Sequence, residues 1–215
     1  MPATNNRRVR VNSGAIFRAA EKFVDDFTNV PVAGFQYRHF YIESEIPTLF
    51  DTNTLIYSTL LIENNCPHRW RGRYNEDTDL CLRVLKDYEN NYCTIHFTQF
   101  LQGKAGTQAV KGGNTEEFYH AEGNQDEGSY DDGVNPAGTI NKSQMLKDMH
   151  PDVTSIIWYG KRYHHLVNYE VFANKQLALR SDVKTWGDPI SYALDLGLKF
   201  VTNWSDAAKS PAVQR

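Results

Sequence analysis

Residues 75–102 fix the kind of fold this chain can adopt. The run NEDTDLCLRVLKDY, Asn75 to Tyr88, sets Leu80, Cys81, Val84, Leu85 and Tyr88 on one apolar stripe at helical spacing. Asn75 is a favoured N-cap residue. Glu76, Asp77 and Asp79 put negative charge on the first turn, where the helix dipole is positive. After a turn at 89–91, the run YCTIHFTQFLQ alternates Cys93, Ile95 and Phe97 inward with Thr94, His96 and Thr98 outward, the period of a strand. A striped helix running straight into a half-apolar strand must pack on it. The expected fold is therefore α/β, a mixed central sheet flanked by helices.

The flanking sequence supplies further elements. Residues 15–27, AIFRAAEKFVDDF, form an amphipathic helix behind Ser13 and Gly14. Residues 30–42 read as a strand, in which Pro31 and Gly34 predict an edge position or a bulge. Residues 54–62 fit a buried strand or a short helix equally well. Residues 103–114 hold four glycines and read as a loop, and 120–142 lose almost all apolar content, as a surface insertion does. A short helix over 143–150, a strand over 153–159, the basic aromatic run GKRYHH at 160–165 and a loose tail at 203–215 complete the chain. One domain over 1–202 is expected.

Composition narrows the function. A net charge of −3 argues against binding nucleic acid through bulk electrostatics, but leaves local basic patches open. No apolar run reaches the ~18 residues of a membrane span, and the first residues lack a signal-peptide core. A cytoplasmic protein without a membrane partner is expected. Cys66, Cys81 and Cys93 form no paired motif, which predicts buried thiols in a reducing compartment and no structural zinc.

Chemistry concentrates where HRWRGRY, 68–74, runs into the acids at 76–79. Arg69, Arg71 and Arg73 around Trp70 suit phosphate or base contacts, or else a solvated basic turn with Trp70 as a buried anchor. Glu76, Asp77 and Asp79 admit four readings: helix capping, a general base, a metal site through the DxD spacing of Asp77 and Asp79, or a surface face without a role. Lys111, Gly112, Gly113 and Asn114 form a turn or a loop that approaches a ligand closely, and match no phosphate-loop pattern. His150, His164 and His165 are structural residues or metal ligands. His96, on the outward side of its strand, has no expected role.

The run from Trp70 to Asp87, followed in order by YCTIHFTQFLQGKAGTQAVKGGNTEEFY at 92–119, resembles the TET/JBP-associated glycosyltransferases of bacteriophages. NVPVAGFQYRHF upstream and KSQMLKDMHPDV with GKRYHH downstream fit the same resemblance, over roughly residues 10–170. It implies a GT-A-type enzyme that uses a nucleotide-sugar donor and a divalent metal, manganese or magnesium. The implied acceptor is the hydroxyl of a hydroxymethylated base in phage DNA, inside the host cytoplasm. Asp77 and Glu76 would supply the catalytic base. Arg69, Trp70, Arg71 and Arg73, with Lys111 to Asn114, would hold donor or acceptor, and Asp79 with His150, His164 or His165 would hold the metal. Against that pattern, too little chain precedes Ile16 for the nucleotide-binding portion. The chain is thus expected to be the acceptor-side half, the donor half missing or supplied by a partner chain. The competing expectation is a catalytically silent nucleic-acid-binding module that keeps the cleft.

Overall fold

The computed structural model describes residues 11, 13–37, 48–72, 74–102, 136–159, 162–185 and 187–198. In chain order the elements are α1 (Ala15–Val24), β1 (Val32–Tyr37), β2 (Phe50–Thr52), β3 (Leu60–Ile62), α2 (Glu76–Leu85), β4 (Thr94–Gln102), α3 (Pro136–Met149), β5 (Thr154–Tyr159) and β6 (Arg162–Val167). A 3-10 turn at Tyr169–Phe172 and α4 (Pro189–Asp195) follow. The main sheet runs β2-β4-β1-β3, and β5 pairs with β6 in a separate ribbon. The sheet is mixed, since β1 lies parallel to β4 while β3 and β2 are antiparallel to their neighbours.

Strand alternation divides the core into two layers. Ala33 and Phe35 of β1, with Ile95 and Phe97 of β4, turn towards Ala19, Ala20 and Phe23 of α1. Val32 turns the other way and packs with Ile56 against Leu80, Cys81 and Val84 of α2. The sheet therefore lies between α1 and α2, as the helix–strand run at 75–102 requires. A third cluster joins Leu82 and Leu85 of α2 to Leu146 of α3, Val153 and Phe172. Apolar contact on two sides leaves α2 almost wholly buried, the condition of a core helix rather than a surface one.

Three local expectations change. β1 is a central strand, because Pro31 stops just short of it and lends only its carbonyl, to Glu63 N–H. Gly34 marks close packing, since a Cβ there would lie 2.3 Å from the Ile56 side chain and 2.8 Å from the Ser58 carbonyl; the bulge alternative agrees with the β1–β4 register, which shifts between Phe35 and Gln36. His96 is buried beneath the α2 side of the sheet, and Thr94 is buried with its hydroxyl donating to Thr54 O at 2.8 Å. Part of the expected insertion is helical, since α3 begins at Pro136. The glycine-rich loop at 103–114 and residues 120–135 lie outside the described residues.

Cys66, Cys81 and Cys93 are free and buried, as expected. Burial pushes the Cys81 thiol up to about 12. Gly34 yields a prediction. Gly34→Val should destabilise the fold by about 1–3 kcal/mol through overpacking, read from the midpoint of a urea unfolding curve at unchanged slope.

Candidate functional site

The head of α2 is shaped by two residues with left-handed backbone. Gly72 has φ 80° and Asn75 φ 52°, conformations that glycine and asparagine accept at low cost. Between them the chain reverses, which brings Arg71 alongside Asp79, eight residues on. Asn75 does not cap α2 with its side chain; it donates to Lys142 O at 2.8 Å and ties the helix head to α3.

Asp79 is the hub. Its side chain is fully buried. Arg71 grips it in bidentate fashion, Nε to Oδ2 at 3.0 Å and Nη2 to Oδ1 at 2.9 Å. Arg83, one turn further along α2, sets Nε 3.1 Å from Oδ2 as an ion pair too bent for a hydrogen bond. The Lys86 ammonium lies 3.2 Å from His150 Nδ1 and has only donors to offer. Nδ1 therefore accepts, and His150 Nε2–H donates to Asp79 Oδ1 at 2.8 Å. Lys86 ends the chain on Asp152 at 2.5 Å. Burial alone would raise the Asp79 pKa; hydrogen bonds from His150 and Arg71 and the charges of Arg83 and Arg71 outweigh it and bring it to about 2.

Around this hub the other predicted residues fall into distinct places. Asp77 is half-buried, and its Oδ1 accepts from the Thr78 N–H at 2.7 Å and the Thr78 hydroxyl at 3.2 Å, leaving Oδ2 without a partner among the described residues. Glu76 is exposed. Trp70 is 50% exposed, so it is a presented ring and not a buried anchor. Arg69 spends its guanidinium on the carbonyls of Cys66 and His68. Arg71 keeps Nη1 outside the Asp79 grip. Arg73, Lys111, Gly112, Gly113 and Asn114 lie outside the described residues.

The expected metal set does not assemble. Asp79 is saturated by two arginines and His150, and His150 is engaged through both ring nitrogens. His164 and His165 sit on β6, where neighbouring residues face opposite sides. His164 Nε2 lies 3.1 Å from Tyr159 O, and burial together with the nearby Lys142 and His164 charges lowers the His165 pKa to about 4. Among the described residues no group of three His, Cys, Asp or Glu side chains is placed to hold a metal ion. The DxD spacing fails for a plain reason: Asp77 opens outward, while Asp79 turns into the core.

Two participants escaped the sequence reading. Arg83 stands at i+4 from Asp79, a spacing that could have flagged the pair. Tyr169 has a buried hydroxyl with no hydrogen-bond partner among the described residues, its acidity suppressed by burial and by the charges of Cys81 and Asp77. No local pattern announces it. An open cleft of about 720 Å³ lies between α1 and β3, lined by Phe17, Glu21, Asp25, Leu60, Glu63 and Arg180 among others, and none of the predicted site residues lines it.

The class that emerges is a mixed α/β domain presenting a half-buried carboxylate and an aromatic ring at the braced head of a core helix. A family model described as TET-Associated Glycosyltransferase matches residues 3–113, just over half of the chain, and the protein belongs to that family. No curated protein and no solved structure matches the sequence. The match spans α1 to β4 and includes the whole α2 head. Among the described residues no helix is long and apolar enough to cross a membrane.

The Asp79 hub has a defined acid response. Its native pKa lies below the ordinary 3.8, so the fold favours the ionised form. That stabilisation is complete above pH ~4 and lost as pH falls towards 2, a difference of about 2 kcal/mol. Asp79→Asn strands two guanidiniums and should cost about 3–5 kcal/mol, with most of the acid-side slope removed. Urea melts of both proteins between pH 2 and 7 check this.

Proposed function

We propose that this protein transfers a sugar from a nucleotide-sugar donor to the hydroxyl of a hydroxymethylated base in phage DNA, with Asp77 as the general base and the fold a GT-A-like one. The reading is supported by one observation within a glycosyltransferase family: Asp77 presents a carboxylate oxygen without a partner among the described residues, from a helix head that the Asp79 hub braces.

In the proposed step, Asp77 Oδ2 takes the proton of the acceptor hydroxyl as its oxygen bonds to the anomeric carbon. The bond from that carbon to the donor phosphate breaks, and its electron pair leaves with the diphosphate. Trp70 offers a face for stacking a base, and the outer edge of Arg71 offers charge to a phosphate. Glu76 adds negative charge at the same helix end without a fixed contact. The four residues once expected to bind metal do not fit one, and the step is written through the chain's own groups.

Asp77→Asn keeps the Oδ1 contacts and removes the base. It should lower kcat about 10²–10⁴-fold with little change in oligonucleotide affinity. The check is radiolabel transfer from a panel of nucleotide sugars to a 5-hydroxymethylcytosine oligonucleotide. Equal turnover by Asp77→Asn and the parent protein would rule out this base. Absence of turnover in both, with oligonucleotide binding intact, would favour a silent binding module.

A further inference from the structure

β3 ends the main sheet, and among the described residues nothing pairs with its outer edge. Its register shows which groups that edge offers. Glu63 N–H donates to Pro31 O at 2.9 Å, so residues 63 and 61 turn their backbone towards β1. Leu60 and Ile62, alternating with them, turn N–H and C=O outward. Natural sheets protect such edges with a charge, a proline or a covering helix, and Leu60-Leu61-Ile62 has neither charge nor proline. An unprotected edge is a template for one more strand.

α1 stands back from this edge. The gap between them is the cleft of about 720 Å³, which β3 lines along its whole length. Leu61 packs on the α1 side of the sheet, and Glu63, two residues on, shares that side. Phe17 of α1, 46% exposed and stacked on Phe35 at 5.6 Å, gives the cleft an apolar wall.

Charge selects the occupant. Glu21 and Asp25, one turn apart along α1, line the cleft with Glu63, and all three are exposed. Among the described residues none of these carboxylates has an ion-pair partner. Arg180, the lining cation, is already held by Asp182, Nε to Oδ1 at 3.1 Å and Nη2 to Oδ2 at 2.9 Å. A second copy of the chain would bring the same acids against these, a like-charge contact that disfavours pairing of two β3 edges. A strand bearing lysine or arginine meets no such penalty.

We propose that the outer edge of β3 and the cleft beside it dock an extended, basic strand of a partner protein, added to the main sheet. The backbone of that strand bonds Leu60 and Ile62. Its lysines or arginines, turned towards α1, lay their apolar stems along Phe17 and Leu61 and carry their charge to Glu21, Asp25 and Glu63. The surface lies on the α1 side of the sheet, away from α2 and Asp77, and the proposal goes beyond sugar transfer.

The test uses the full chain and a fluorescein-labelled peptide, Lys-Val-Lys-Val-Lys-Val, with its glutamate counterpart as control, in anisotropy titrations at several salt concentrations. The lysine peptide should bind and the glutamate peptide should not, with affinity falling as salt rises. Glu21→Lys and Glu63→Lys should each raise Kd about 3-fold at low salt and keep the parent melting temperature. Ile62→Pro removes an outward N–H and no bond to β1, and should raise Kd about 5-fold. A lysine peptide N-methylated at alternate residues should bind the parent protein as weakly, a check that holds even if Ile62→Pro fails to fold. Equal binding of the lysine and glutamate peptides, or of neither, would overturn the proposal, as would parental affinity in natively melting charge variants. Undiminished binding of the N-methylated peptide would sink strand addition. The proposal also fails if sedimentation shows a dimer that Ile62→Pro abolishes, since the edge would then belong to a second copy.

Discussion

A carboxylate with no access to water organises this molecule. Asp79 would be costly to bury alone, and it persists only because two guanidiniums and an imidazole converge on it. Those partners come from three places: the turn before α2, α2 itself, and the residue after α3. One charge thereby fixes the direction in which the chain arrives at α2 and the docking of α3 beside it. The neighbouring Asp77 inherits a defined position from this bracing, since its backbone belongs to the same turn.

The packing around α2 follows from the same arrangement. A helix that meets the sheet on one side and α3 with the 3-10 turn on the other has little free surface. What remains open is its N-terminal end. Chain direction then matters: the Leu85 carbonyl accepts from Lys175, whose carbonyl accepts from Asn53, whose N–H reaches Thr94 O at the start of β4. The far end of α2 is thus anchored where β4 begins, and its head faces the end at which β1 and β4 finish. In open α/β sheets that end is where ligands bind.

Periodicity made the secondary structure legible wherever one face of an element was apolar, as in α1, α2 and β4. It misled where a residue served a distant partner. Asn75 has the composition of a cap, yet its amide is taken by Lys142, 67 residues away. His96 alternates like a solvent-facing residue, but its strand is covered on both faces and its Nε2 is buried without a partner among the described residues. The candidate site was half legible. Local chemistry placed carboxylates and arginines together at 69–79, but which acid turns inward depends on His150 and Arg83, and tertiary contact alone decides that. The DxD spacing does not reveal that one of its two acids is consumed by the core.

The position of α3 has a consequence for reach. Leu146 locks it to α2, Met145 and Met149 sit against Gly72, and its other side carries the ribbon. Two surfaces that would otherwise hang from separate loops are spaced by one stiff rod. Displacing α3 would therefore carry the Trp70–Arg71 turn and the ribbon along together.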